Sequence, residues 1–444
     1  MKTFYIETLG CKVNQYESDG IASGLIKKGW TRGDKNQPAD LCIINTCSVT
    51  SKAGMQSRQA IRRIIRENPR IRVIVTGCHA QTAPDLVRKI DGVDQVICHR
   101  DKTTIPDLAE DLIQNRYSHS LEFKPVDHTS KNRFLTFPDA VQGSMTRAYL
   151  KIQDGCNAFC TYCIVPYARG SSVSMPENDV FRHLDQLAGA GFREVILTGI
   201  HIGMYGRDLT PSTCLSDLVE KINRDRPMER IRISSIEPVE LDDRIIACAG
   251  ENGVVCDHFH IPLQSGDDDI LKKMKRPYTA SFFAQVIRRI HSRLPFAGIG
   301  ADTLIGFPSE TNEQFENTFR LIEELPISYL HVFPFSPRKG TPAYTFDHPV
   351  DPEIIKERCS RMRDLGRKKR EAFIRSNLGR TLKGLIQDKE NTLSGRLKAV
   401  TSNYLTVELN VAEQDKIQNP KGKIVDLVIE EWDNDLNLYG KIIL

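Results

Sequence analysis

Short apolar runs alternate with longer stretches of helical spacing over the first hundred residues. KTFYIETLG, DLCIINT and RVIVTG have strand length, and Asn14 to Lys28, Ala53 to Glu67 and Pro84 to Ile90 suit helices between them. That order predicts a parallel α/β sheet. From about 100 to 145 the periodicity fades among prolines and polar clusters, as in a connection between domains. It resumes at Met145 with six candidate strands, RAYLKIQDG, EVILTGI, IRISSI, CDHFHIPLQ, GIGADTLIGFP and YLHVFPFSP. Helical stretches such as Glu177 to Ala190, Leu215 to Asn223, Ala280 to Leu294 and Asn312 to Glu324 separate them. Beyond about Leu378, short strands joined by polar or glycine turns predict a small OB-like β-barrel.

A chain of 444 residues should hold two or three domains. The N-terminus runs straight into a strand rather than a signal peptide, and no apolar run is long enough to cross a bilayer. A cytoplasmic protein with no membrane partner is therefore expected. Twelve cysteines in a reducing compartment argue for metal or catalysis over disulfides. The net charge of +4 says little, but its distribution says more. Eleven basic residues face three acidic ones from Lys356 to Lys383, including Arg367, Lys368, Lys369 and Arg370, a density that attracts a polyanion. Lys52, Arg58, Arg62, Arg63 and Arg66 follow Cys47, with Arg58, Arg62 and Arg66 on one helical stripe. The three aspartates Asp267 to Asp269 are explained by an acidic helix start before Ile270.

The densest chemistry lies in DGCNAFCTYCIVPYARG, where Cys156, Cys160 and Cys163 stand in C-x3-C-x2-C spacing after a strand. Three thiolates so placed can hold a four-iron cluster and leave one iron open for a small molecule. A closed zinc site needs a fourth ligand, and the next candidates, His183 and Cys214, are distant. A thioredoxin-like pair would not use the third cysteine. Cys11, Cys47 and Cys78 each end an apolar strand. In a doubly wound sheet those ends converge, which predicts a second three-cysteine cluster site. Cys42 falls inside a strand and reads as core; Cys98, after a fourth strand, is the rival ligand.

The C-x3-C-x2-C stretch resembles the radical S-adenosylmethionine (SAM) enzymes. TLGCKVNQYES, INTCSVT and TGCHAQ before CNAFCTYC narrow the resemblance to the methylthiotransferases, most closely the group acting on N6-threonylcarbamoyladenosine in tRNA. The resemblance implies a tRNA methylthiotransferase carrying two [4Fe-4S] clusters and using SAM. Its substrate would be the modified adenosine next to the anticodon, methylthiolated at carbon 2. Isopentenyladenosine tRNA or a ribosomal protein is the rival substrate, and a non-catalytic iron-sulfur RNA-binding redox sensor the rival outside the class. Cys156, Cys160 and Cys163 would bind the SAM cluster, and Cys11, Cys47 and Cys78 an auxiliary cluster that holds the sulfur. An electron donor such as flavodoxin or ferredoxin and a sulfur donor would be partners.

The resemblance also implies an architecture and contacts. Residues 1–115 would form the N-terminal methylthiotransferase domain, 116–144 a linker, 145–375 a partial (β/α)6 radical SAM barrel, and 376–444 a TRAM RNA-binding domain. Tyr162 would lie near the adenine of SAM, and the loops after the barrel strands, with Thr198, Gly199, Ser234, Ser235, Glu237, Gln264, Asp302 and Gly306, would line the cofactor cavity. Two departures stand out. TGIHIGMYG replaces the Gly-Gly-Glu found in many radical SAM proteins, and Ser171 to Ser174 follow Arg169-Gly170 where relatives carry further arginines. In SPRKGTPA, Arg338 and Lys339 form a cationic turn suited to a substrate phosphate or the threonyl carboxylate, or simply an exposed turn.

Overall fold

The computed structural model describes residues 2–34, 37–114, 123, 126, 133–137, 146–250, 253–390, 395–409 and 419–443. Most of the expected linker, 116–144, lies outside them. Of that stretch, Phe134, Leu135 and Phe137 are buried, Phe137 edge-on to Tyr16.

Five parallel strands, β1 (Thr3–Thr8), β2 (Thr31–Arg32), β3 (Leu41–Thr46), β4 (Arg72–Gly77) and β5 (Gln95–Val96), form a sheet in the order β2-β1-β3-β4-β5. Their side chains alternate between two cores, as a period of two requires. Ile43 faces α1 (Lys12–Lys27) and α5 (Ile105–Ile113), whereas Cys42 and Ile44 face α2 (Ser51–Glu67) and α4 (Pro84–Arg88). The short α3 (Cys78–Thr82) starts directly at the end of β4. Thr8 pairs with Asn45 and Thr46 with Gly77, so the ends of β1, β3 and β4 lie side by side.

The next strands are β6 (Ala148–Lys151), the small ribbon β7 (Gln153–Asp154) with β8 (Val173–Ser174), β9 (Glu194–Thr198), β10 (Arg230–Ile233), β11 (His258–His260), β12 (Gly298–Ile305) and β13 (Tyr329–Pro334). The order β6-β9-β10 continues as β11-β12-β13, all parallel, with Ile236 N–H donating to the His260 carbonyl across the join. Helices α6 (Val165–Arg169), α7 (Glu177–Gly189), α8 (Leu215–Asp225), α9 (Asp243–Ala247), α10 (Asp268–Lys273), α11 (Ala280–Arg293) and α12 (Asn312–Glu324) run between them. This is a partial (β/α)6 barrel. Its third strand stops at Ile233 and its fourth at His260, leaving Ser234, Ser235 and Gln264 in the loops beyond.

Helix α13 (Pro352–Asn377) leads into a closed barrel of β14 (Thr381–Glu390), β15 (Leu397–Thr401), β16 (Thr406–Leu409), β18 (Leu438–Ile443) and β17 (Ile424–Trp432). The small barrel caps the N-terminal ends of the central strands. Arg230 donates to the Lys383 and Val400 carbonyls, Arg232 to those of Thr401 and Ser402, and Gly298 lies against the Asn403 carbonyl, where a Cβ would come within 2.2 Å. Chemistry is thereby left to the opposite end, where the strands terminate.

Candidate active site

The C-x3-C-x2-C loop is shaped by its backbone. Gly155 adopts φ +68°, and a Cβ there would lie 2.1 Å from the Ser171 carbonyl oxygen, so only glycine fits. Cys156 N–H then donates to the Gly170 carbonyl at 2.9 Å and closes the loop. Thr161 pins it to the end of α10 through the Met274 and Lys273 carbonyls, and Ala343 N–H donates back to the Thr161 carbonyl.

Donors surround the sulfurs. Ala158 N–H and Arg276 Nη1 each stand 3.4 Å from a sulfur, Cys156 and Cys160 respectively, and His201 Nδ1 is 3.4 Å from Cys156 Sγ. His201 is held in turn by a Glu240 carboxylate oxygen at 3.0 Å. Burial opposes charge on that imidazole, but its bonds to Cys156 and Glu240 push it up to about 10. Arg276 also pairs with Glu237 and donates Nε–H to the Tyr278 hydroxyl at 2.9 Å. Burial, reinforced by Cys160 and Cys156, pushes the Cys163 thiol up to about 12. The loop brings three thiols to one mouth, a donor set that suits a multivalent cation able to displace their protons. A cubane cluster fits this donor set.

The second set of thiols assembles at the ends of β1, β3 and β4. Gly10, at φ +100°, passes so close to Cys47 that a Cβ would lie 2.9 Å from its sulfur. Ser57 Oγ accepts from Cys47 N–H at 3.2 Å and fixes that turn against α2. Cys47 is pushed up to about 11 by burial and by the neighbouring Cys78 and Cys11. The rival Cys98 instead donates to an Asp101 carboxylate oxygen at 2.6 Å, and Cys42 is buried core.

A buried ion network runs from Cys78 to Asp154, two residues before Cys156. Arg169 sends Nη1 to Glu17 (3.0 Å) and Asp154 (2.9 Å), Nη2 to Asn14 (2.6 Å) and Nε to Cys78 Sγ (3.3 Å). Lys151 bridges Glu17 (3.2 Å) and Asp154 (2.8 Å), and Lys102 also pairs with Glu17. His99 is held down at about 4 by burial and the nearby Arg169, so three cations face two carboxylates. The excess positive charge sits beside Cys78, where anionic thiolates would balance it.

Around the barrel mouth the expected cofactor residues fall into distinct environments. Tyr162 packs on Leu304, Phe307 and Ala343, an apolar wall suited to a planar base. Thr198 ends β9, and Gly199 leaves room for Gln153 Oε1, which accepts from His201 N–H at 2.7 Å. Ser234 Oγ is buried without a hydrogen-bond partner, whereas Ser235 is exposed. Gln264 stands at φ +67°, a rare conformation for a non-glycine residue, of the kind that collects at functional sites. Gly306, at φ +80°, donates its N–H to Glu310 at 2.9 Å. Asp302 is taken up by His260 Nε2 (2.8 Å) and His331 Nδ1 (3.2 Å), a triad closed by its own hydrogen bonds. Arg276, His201 and Glu240 were missed by sequence reasoning because each comes from a different loop. Only proximity to the cysteines in space reveals them.

Comparison with known proteins matches two parts of the chain to family models. The model of the uncharacterized protein family UPF0004 matches residues 3–98, and that of the radical SAM superfamily matches residues 150–322. The threonylcarbamoyladenosine tRNA methylthiotransferase MtaB of Bacillus subtilis is 38% identical over 97% of this chain and 94% of its own length. The chain belongs to the radical SAM methylthiotransferases. The MtaB of Aquifex aeolicus is 34% identical over 90% of this chain and 95% of its own. A tRNA-2-methylthio-N(6)-dimethylallyladenosine synthase of Clostridium botulinum (strain Loch Maree) is 30% identical over 89% of each. Among solved structures, the radical SAM methyltransferase TsrM of Kitasatospora setae shares the fold, with TM-score 0.57 at 14% identity over 77% of each chain. Members of the family use SAM and [4Fe-4S] clusters.

The methylthiotransferase divides its basic residues between surface and scaffold. Arg62, Arg63 and Arg66 line a groove along α2, whereas Arg58 turns inward to His79 at 3.2 Å. In α13, Arg367 pairs with Glu371 and reaches the Asn434 carbonyl, and Lys369 caps the Glu323 and Leu325 carbonyls at the end of α12; Lys368 is exposed. Arg370 joins Arg147, Arg363, Arg367, Tyr329 and Tyr404 around a cavity of about 450 Å³ between β13, α13 and the small barrel. Arg338 is half-buried and near Cys47, while Lys339 beside it is exposed. Among the described residues no helix is long and apolar enough to cross a membrane.

Proposed function

We propose that this methylthiotransferase converts N6-threonylcarbamoyladenosine next to the anticodon of tRNA to its 2-methylthio derivative. The observation that carries the reading is the pair of three-thiol sites, one in the loop after β7 and one at the ends of β1, β3 and β4, with Arg169 bonded both to Cys78 and to Asp154 beside the first loop. A single substrate held at the barrel mouth reaches both in this reading. In this reading Cys156, Cys160 and Cys163 bind the SAM cluster and Cys11, Cys47 and Cys78 the auxiliary one. Bound there, the clusters supply reductive cleavage of SAM and a site for the sulfur to be transferred.

The chain's own residues do the positioning. Tyr162 and the apolar wall behind it hold the adenine of SAM, and Ser234 Oγ, buried and unpartnered, is a ready hydrogen-bonding group for its ribose. Arg276 and Glu237 pair close to the Tyr162 ring and offer polar groups there. The choice of the threonylcarbamoyl substrate is supported by identities of 33–38% to the MtaB relatives, against 29–30% to the dimethylallyladenosine synthases. The tRNA itself would meet the groove of Arg62, Arg63 and Arg66 and the cavity of Arg147, Arg363 and Arg370, whose tyrosine rings offer stacking faces beside the cations. Domains at 1–115, 145–375 and 376–444, with a linker at 116–144, and an electron donor such as flavodoxin or ferredoxin with a separate sulfur donor complete the proposal.

The test is mass spectrometry of nucleosides from tRNA of cells with and without the gene. The methylthio form of threonylcarbamoyladenosine should vanish on deletion, with its unmethylthiolated precursor accumulating. Unchanged nucleosides would reject the assignment.

A further inference from the structure

Beside the auxiliary thiols lie two cationic side chains, Arg58 and Arg338, that have no acidic partner among the described residues. Arg58, on α2, uses Nη1 to contact the Gly54 carbonyl (3.3 Å) and His79 Nε2 (3.2 Å). Arg338 arrives from the loop after β13, which is fastened to the start of α2 by Ser51 N–H to Ser336 Oγ (3.0 Å) and Ser51 Oγ to the Pro337 carbonyl (3.1 Å). Gly54 keeps the centre open: a Cβ there would lie 3.3 Å from His79 Nδ1 and 3.7 Å from Arg338 Nη1. Both Arg338 Nε and His79 Nδ1 are buried with no hydrogen-bond partner, and among the described residues neither arginine has a carboxylate partner.

Two guanidiniums with a buried, unused donor are costly unless an anion completes them. We propose that Arg58 and Arg338, around the space kept open by Gly54, bind the carboxylate of the N6-threonylcarbamoyl group and so select this substrate. The inference rests on the functional reading above. It favours that carboxylate over a backbone phosphate because of the substrate's own geometry. N6 and carbon 2 flank N1 on one edge of the purine, so the N6 arm leaves the ring towards whatever reacts at carbon 2. The phosphates hang from the N9 side. An anion site beside Cys47 and Cys78 therefore faces the arm. A planar guanidinium can grip its carboxylate through two parallel bonds, and a dimethylallyl arm offers nothing to grip.

The experiment uses anaerobically reconstituted enzyme and two anticodon stem-loops, one with threonylcarbamoyladenosine and one with plain adenosine. Dissociation constants, KM and iron content are measured for the wild type and for Arg58→Gln, Arg338→Gln and Gly54→Ala. The wild type should prefer the modified loop by about tenfold or more, and each variant should lose most of that preference, with KM rising about ten- to a hundredfold. Affinity for the plain loop and iron content should hold. Arg58→Lys and Arg338→Lys, which keep charge but not the fork, should be intermediate, and they carry the test should a glutamine variant fail to load iron. Variants that keep the full preference would overturn the carboxylate site while leaving the methylthiolation reading intact. Equal weakening towards both loops would assign the cations to a phosphate instead. A wild type that neither prefers nor converts the modified loop would overturn the functional reading, and this inference with it.

Discussion

Arg169 donates its Nε–H to the sulfur of Cys78 at 3.3 Å, and so links the end of α6, the helix just after Cys163, to the thiol site of the N-terminal sheet. The same guanidinium separates Glu17 from Asp154, two buried carboxylates held well below the usual range although burial by itself raises them. Arg169→Gln should therefore cost about 3–5 kcal/mol, the scale for breaking a buried pair from one side. Iron loading at Cys11, Cys47 and Cys78 should fall with it. Arg169→Lys keeps the charge without the fork and should lose less. Urea unfolding and iron assay of the purified variants check this; a glutamine variant with wild-type midpoint and full iron would refute it.

Glu194 plays the matching part at the base of the barrel. It pairs with Arg230 and with Arg232 (3.0 Å), the two arginines that hold the C-terminal barrel through its carbonyls. Burial raises its pKa, but Arg232, Arg230 and Arg147 outweigh that and bring it from 4.5 down to about 2. A carboxyl lowered on folding stabilises the protein above its unfolded pKa. That contribution, on the order of 3 kcal/mol, should fade as pH falls from about 4.5 towards 2. Glu194→Gln should remove it at neutral pH and leave three guanidiniums uncompensated. Limited proteolysis should then release the segment after α13 sooner than in the wild type. Identical proteolysis and an unaltered acid profile would count against the role.

Gly155 and Gly10 test the two thiol sites separately. Alanine at 155 meets a backbone oxygen at 2.1 Å, which cannot step aside, and alanine at 10 meets the Cys47 sulfur at 2.9 Å; both positions also demand positive φ. Each variant should retain about half of the wild-type iron, from opposite sites. Gly155→Ala should lose SAM cleavage, and Gly10→Ala should keep it. Full iron in either variant would show that the turn tolerates a side chain and that the thiols do not depend on it.

Sequence pattern revealed the strand ends bearing Cys11, Cys47 and Cys78, because apolar period and position are local properties. The closed C-terminal barrel was legible for the same reason, from short strands and turns. Contacts between segments were not. IRISSI reads as a strand, but nothing local marks Arg230 and Arg232 as buried, which they are because Glu194 and the carbonyls of the C-terminal barrel supply their partners. Arg367 to Arg370 read as one polyanion-binding run, but a helix turns those side chains in different directions. Lys369 consequently caps the end of α12, and only some of its neighbours face solvent. Glu17, Asn14 and Asp154 carry no periodic mark at all. Their meaning depends on Arg169, which the sequence sets more than a dozen residues from the nearest of them.

Cysteine variants separate the two steps that the paired sites would divide between them. Cys160 lies in the loop that Arg276, Thr161 and Ala343 hold at the barrel mouth, and Cys47 in the turn that Gly10 and Ser57 hold across the boundary. Cys160→Ala should abolish formation of 5'-deoxyadenosine and of methylthiolated nucleoside together, because the substrate radical would be needed before sulfur can join carbon 2. Cys47→Ala should leave 5'-deoxyadenosine formation in place, since none of the contacts around Cys156, Cys160 and Cys163 passes through Cys47, while methylthiolated nucleoside disappears for want of a sulfur site. Chromatography of the small-molecule products alongside digestion of the tRNA reads both in one reaction. Methylthiolation by the Cys47 variant would remove the auxiliary role from the N-terminal thiols. Loss of both products in that variant would mean instead that the two sites act as one unit, with Arg169 as the obvious connection.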